Sequence, residues 1–296
     1  MKHALTLLAL LPLSGFSAQS TAAEILEVAL GELHPTQPAL GYRQMSYKQG
    51  RFAVDHKKLF DEYCETAGQG SIVRFDDNSS LRDLDSFECS DAVGTHLEDM
   101  KTAVIAPNSG VYITDGHHTF SNYLALEGPD LVMPLLITHN FNDLPDMKHF
   151  WATMQEERLV WLDAPDGPIA SEELPEHVGH GHQVDDPYRS LVYFTRGVGY
   201  KKPATPPPFL EFYWGQWLAE RLPLETLNLT TLEGYTDAVT RAATLMVEVS
   251  PDALIATTST GSLTAQEMGQ LPAFNSAELE KSLSEHGKLA YAFSTE

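Results

Sequence analysis

Short apolar runs interleaved with helix-like stretches predict a mixed α/β or α+β core for this chain. Two observations carry that expectation. Residues 102–105 and 111–114 are apolar and flank Pro107-Asn108-Ser109-Gly110, a hairpin signature. Residues 119–126 then place Phe120, Tyr123 and Leu124 at helical spacing, before a further strand-like run at 131–138. From about residue 187 onward the apolar positions recur mainly at helical spacing, so the C-terminal part should be mainly helical.

Composition permits a proper core. The chain has 296 residues, 43% hydrophobic and 20% charged, which sets it apart from disordered sequences. Residues 1–23 have the form of a secretory signal peptide. Lys2 supplies the positive end, residues 4–13 a short apolar stretch, and Ser20-Thr21-Ala22-Ala23 the small residues of a cleavage site. The apolar stretch is short for a membrane span, and no later one is long enough. The expected mature protein is therefore exported, periplasmic or secreted, with no membrane contact after cleavage. In an oxidising compartment Cys64 and Cys89 are most simply one disulfide. Losing Lys2 takes the formal charge from −22 to −23. So acidic a protein should lack the broad basic face that non-specific nucleic-acid binding needs, while a local pocket for a small phosphorylated or cationic ligand is compatible with it.

Taken in order, residues 24–34 read as a strand and Pro35-Thr36-Gln37-Pro38 as a turn. Gly41 leads into a basic helix carrying Lys48, Arg51, Lys57 and Lys58, a solvated face or a set of anion partners. Residues 64–91 form a loop-rich insertion bracketed by the cysteines, and their acidic residues miss the EF-hand spacing. Pro134 marks the 131–138 strand as an edge or a bulged strand. Residues 147–161 form an aromatic-bearing helix, and residues 163–186 a loop rich in Pro, Gly and His. His177, His180 and His182 stand there in metal-compatible spacing, or are simply solvated. Asp185 and Asp186 start a helix through Pro187. A Pro-rich linker at 202–208 precedes an aromatic helix at 209–222, and 236–249 is amphipathic. Asn275 opens a last helix that Gly287 ends.

Residues 113–119, Ile-Thr-Asp-Gly-His-His-Thr, are the densest chemistry in the chain. A strand that turns at glycine into a helix aims backbone N–H groups and side chains at one point. Asp115, His117 and His118 bring a carboxylate and two imidazoles to it, fitting acid/base chemistry, a divalent metal or a phosphate. Read as bland structure, Asp115 caps a helix and the histidines are ordinary core or surface residues.

Four pieces in order resemble the putative ParB-like nuclease family of the ParB/sulfiredoxin-like superfamily. They are Pro35-Thr36-Gln37-Pro38 with Gly41 and Lys48; Tyr112 to His118; Phe150-Trp151; and Asp186-Pro187-Tyr188-Arg189-Ser190-Leu191 with the aromatic helix. The resemblance spans about residues 32–222. It implies an α+β fold, a compact mixed sheet with short helices, whose strand–turn–helix handles phosphate. Sulfiredoxin-like relatives carry Gly-Cys-His-Arg where this chain has Gly116-His117-His118-Thr119, so the thiol chemistry of those relatives does not carry over. The implied organisation is a core at 24–162, a family-specific loop and helical extension at 163–250, and a segment of unassigned role at 251–296. On this reading the protein is a nuclease-like or phosphoester-acting hydrolase. His117 or His118 is its acid or base, Asp115 orients an imidazole or helps hold a metal, Lys48 and Arg189 hold anionic oxygens, and Gln37, Gly116, Thr119 and Ser190 donate hydrogen bonds. The alternative is a non-catalytic periplasmic binding protein for a metal or small anion.

Overall fold

A computed structural model describes residues 24–258 and 261–294. The signal-like segment at 1–23 lies outside them. The fold is mixed α+β around a five-stranded sheet. Its first strands are β1 (Glu24–Ala29), β2 (Leu33–His34) and the short β3 (Ala39–Leu40). Helices α1 (Tyr42–Val54) and α2 (Lys57–Thr66) follow, then the small ribbon of β4 (Ile72–Arg74) and β5 (Glu88–Cys89). β6 (Thr102–Ile105) and β7 (Val111–Ile113) form the foreseen hairpin, and α3 (His117–Glu127) leads to β8 (Val132–Asn140). The sheet order is β1-β8-β6-β7-β2, with β6 parallel to β8, β2 parallel to β7, and the other pairs antiparallel.

Alternation along β6 sorts its side chains between two cores. Ala103 and Ile105 join the cluster under α2 and α3, whereas Val104 faces the cluster of Phe150, Trp151 and Met154 on α4 (Met147–Glu156). A third, helical cluster takes Leu191 and Phe194 from α5 (Pro187–Thr195) and Trp214 and Trp217 from α6 (Leu210–Ala219). It also takes Ala242 and Met246 from α7 (Leu232–Glu248), and Leu289 and Ala292 from α9 (Lys288–Ala292), which follows α8 (Ser276–Leu283). Tyr47 of α1 belongs to the same cluster, so α1 ties the sheet half to the helical half.

Several expectations are corrected. The strand expected over 24–34 breaks at Gly31, where a Cβ would come within 2.9 Å of Pro129. The expected basic helix is two helices parted at Asp55 and His56. Gly287 starts α9 rather than ending a helix. Pro134 is in an interior strand, paired with Glu27 of β1, yet the edge argument holds locally. The Leu136 N–H, two residues on, donates to the Lys101 carbonyl at 3.0 Å just before β6 begins. The proline nitrogen therefore faces the same side, past the end of β6, where no strand asks for a donor. The antiparallel pair Leu254–Thr258 and Gly261–Thr264 was not expected. Cys64 and Cys89 form the expected disulfide, with Cα atoms 5.6 Å apart. In the chain-entropy picture, closing a loop of this length contributes about 3 kcal/mol. Among the described residues no helix is long and apolar enough to cross a membrane.

Candidate functional site

The turn after β7 makes the expected geometry. Gly116 has φ 95°, and a side chain there would meet Lys101 Cγ at 2.8 Å and Phe120 at 2.9 Å, so the position needs glycine. Helix α3 begins at the next residue, and no side chain caps its N-terminus. Gly116, His117, His118 and Thr119, at this helix start whose first N–H groups have no intrahelical partner, line a cavity of about 650 Å³.

That cavity gathers most of the residues singled out from sequence. Gln37, Lys48, Asp115, Gly116, His117, His118, Thr119 and Arg189 all line it. Lys101, Arg158, Arg196 and Lys202 join them, so six cations face three acids, Glu65, Asp115 and Glu211. In a chain of net charge −22 this is a local inversion of sign. Ser190 is placed elsewhere. Its Oγ accepts the Arg43 N–H at 3.1 Å and thereby caps the start of α1. His177, His180 and His182 are exposed and do not form a three-ligand group, and His180 instead packs against Tyr42 at 4.3 Å between ring centroids. Among the described residues the group of three that does bring ligand atoms within 4.8 Å of one another is His96, Glu98 and Asp99, away from the cavity.

Both histidines are committed to the backbone. His117 Nε2 accepts the Thr36 N–H at 3.0 Å, and His118 Nε2 accepts the Gly41 N–H at 2.9 Å. An acceptor nitrogen carries no proton, so each neutral ring bears its proton on Nδ1. Burial pushes His117 down to about 3, with Asp115 opposing and Arg189 adding to the shift. Burial, then the Arg189 charge, holds His118 well below the usual histidine range. The pair therefore latches the Thr36–Gly41 segment onto α3. For either ring to act as a base through Nε2, its latch would have to break. Asp115 keeps an exposed carboxylate, 3.5 Å from the Lys101 ammonium.

Arg189 sits opposite, on α5. Asp186 caps that helix by accepting the Arg189 N–H at 2.9 Å. The guanidinium donates through Nη1 to Gln44 Oε1 at 2.8 Å and lies 5.5 Å from the Phe212 ring centroid. Its Nε is buried with no hydrogen-bond partner. A buried donor left unpaired costs about 1–3 kcal/mol, and an anion in the cavity would remove that cost. Glu211 is the internal counter-ion. It is buried, pairs with Arg196, and lies 3.5 Å from Lys202 and 4.0 Å from Arg189. Burial opposes its ionisation, but the charges of Arg189, Lys202 and Arg196 win and hold it at about 2. Lys48 is paired with Glu62 of α2 at the cavity edge. Sequence reading passed over Gln44, Lys101, Arg196, Lys202 and Glu211. The usable signal was Glu211, the lone charge in the ten residues of α6.

A cation-lined cavity at an uncapped helix start is thus set in a mixed α+β fold. The family model for putative ParB-like nucleases matches residues 26–220, and the chain belongs to that family. No curated protein matches the chain. The crystal structure of protein Atu1540 from Agrobacterium tumefaciens is similar, with a TM-score of 0.52 and 22% identity. The match covers 76% of this chain and 91% of that one, a likeness of fold.

Proposed function

We propose that this ParB-like protein holds a phosphate-bearing ligand at the start of α3 and acts on its phosphoester. The observation that carries the reading is the six-cation cavity of an acidic chain, with a buried guanidinium nitrogen left unpaired on its wall. Arg189, Lys101 and the α3 amides would hold the phosphate oxygens and stabilise charge developing on them. Lys48 would steer the ligand from the rim. Asp115, exposed beside Lys101, would take a proton or help hold a divalent cation. His117 and His118 serve by fixing the segment that carries Gln37. The reading places the protein outside the cytoplasm, supported by the leader-like segment and by the disulfide.

The neutral, backbone-bound histidines favour a second reading, a binding protein without turnover. Purified protein offered nucleotides, other phosphoesters and single-stranded DNA, with and without Mg, Mn or Zn, separates the two. Turnover should fall by about a hundredfold or more in Asp115→Asn if Asp115 moves the proton. Ligand stabilisation with no turnover under any condition selects the binding protein. Orthophosphate binding that is equal in the wild type and Arg189→Met overturns both.

A further inference from the structure

A second cavity, of about 530 Å³, opens beside the first, and Arg158 and Phe209 line both. Its other walls include Trp161, Tyr213 and Trp217. The Trp161 ring meets Tyr213 edge-on at 5.0 Å and stacks on Phe212 at 5.1 Å. Polar groups such as Gln216 and Asp163 stand among the aromatic ones.

The shared wall breaks two local rules at once. Three non-glycine residues with positive φ occur among the described residues; one is Ser109 in the hairpin turn, and the others are Arg158 at 56° and Phe209 at 59°. Arg158 follows the last turn of α4, where the Leu159 N–H reaches back to the Met154 carbonyl at 2.8 Å and the Arg158 N–H to the Gln155 carbonyl at 3.2 Å. Glycine is the residue of choice at that left-handed position. Phe209 stands at the N-cap of α6, where a short polar side chain is preferred. Non-glycine residues held in the left-handed region gather where function requires their side chains. The half-buried Arg158 guanidinium has no hydrogen bond or ion pair among the described residues.

We propose that the two cavities form one composite site, in which the cationic cavity takes the phosphate and the aromatic annex takes a ring of the same ligand. This rests on the anion reading above. Arg158 bridges the halves, its charge serving the phosphate side and its plane the ring. Aromatic faces receive a flat ring face, and the polar groups beside them read hydrogen-bonding groups on the ring edge. The chemistry is that of a phosphorylated polar ring, from either a nucleoside monophosphate or a sugar phosphate.

Trp161 and Trp217 make the annex visible by intrinsic fluorescence. The mature protein is titrated with orthophosphate, nucleoside 5′-monophosphates, hexose 6-phosphates and an unphosphorylated nucleoside. At least one ring phosphate should bind about tenfold more tightly than orthophosphate, and the arm that gains identifies the ring. That ratio should fall below about twofold in Arg158→Gly and in Gln216→Trp, which fills the annex from an exposed helical position. Arg158→Gly should keep or raise the thermal midpoint, because glycine suits the left-handed backbone, so lost binding is not lost folding. Orthophosphate binding with no gain from any ring overturns the annex and leaves the anion reading standing. A nucleoside that binds as tightly as its phosphate separates the two cavities and overturns the joined site. No anion binding at all removes both.

Discussion

Two helices open on the same cavity in contrasting ways. Both α3 and α6 follow a residue in the left-handed region, Gly116 and Phe209, and neither has a side-chain cap. Helix α6 carries its own anion in its first turn, and Glu211 there is surrounded by Arg196, Lys202 and Arg189. Helix α3 has no acid in its first turn and has two neutral imidazoles instead. The positive end of one helix is thus satisfied by its own carboxylate, while the other has no acid in its first turn, which is where the proposed ligand would bind. The comparison suggests why the cavity can hold so many cations and still fold. Part of its charge is balanced by a built-in carboxylate, and on the proposed reading the remainder meets the ligand.

Glu211→Gln should have the largest effect. Removing one partner from a buried charge cluster costs about 3–5 kcal/mol, measurable by urea denaturation. Orthophosphate affinity should rise at the same time, because the cations lose their resident partner. A loss under about 1 kcal/mol would show that Glu211 is not the counter-ion of the cluster.

Acid titration separates the two helix starts by pH. His117 is held near 3 when folded, far below the usual histidine value, so the unfolded chain binds the extra proton first. Its contribution is complete above about pH 6.5 and is lost as pH falls toward 3, at up to about 1.4 kcal/mol per unit. Glu211, held near 2, keeps its contribution down to about pH 4.5 and loses it only below that. Between about pH 6.5 and 4.5, decline should therefore come from the α3 side, from His117 and His118 together, and His117→Gln should make it shallower. An unchanged slope in that variant would detach His117 from the latch.

The smallest effect is expected at Gly116. Alanine there must adopt φ 95° and crowd Lys101 and Phe120, at a cost of about 1–2 kcal/mol in thermal unfolding. Ligand affinity should fall further than stability, since α3's first turn shifts with it. Equal losses would mean that the turn serves folding alone.

What the sequence made legible was whatever its own punctuation enclosed. Pro107 to Gly110 and then Gly116 delimit β6, β7 and α3, so that unit and its Asp-Gly-His-His turn could be read directly. The disulfide was legible because two cysteines have one pairing. The rest of the site depends on how α1, α5 and α6 pack, which no local pattern announces. Gln44 and Arg189 meet only because α1 lies on α5. Arg196 and Lys202 matter through Glu211, distant from both turns that sequence marked. The role of the histidines was hidden for a different reason. Imidazoles that accept a backbone N–H and imidazoles that move protons have the same letters, and only the Thr36 and Gly41 amides distinguish them.

The order of the sheet also bears on how the chain is made. Strand β1 is the first described segment, yet among the described residues its sole strand partner in the sheet is β8, with Glu24 opposite Ile137. Nearly half the polypeptide must emerge before β1 has anything to pair with. Closing so long a loop costs entropy before any contact repays it, which slows completion of the sheet. The leading strand therefore stays open until the segment that completes it has followed, and under the proposed export that delay would keep the chain threadable.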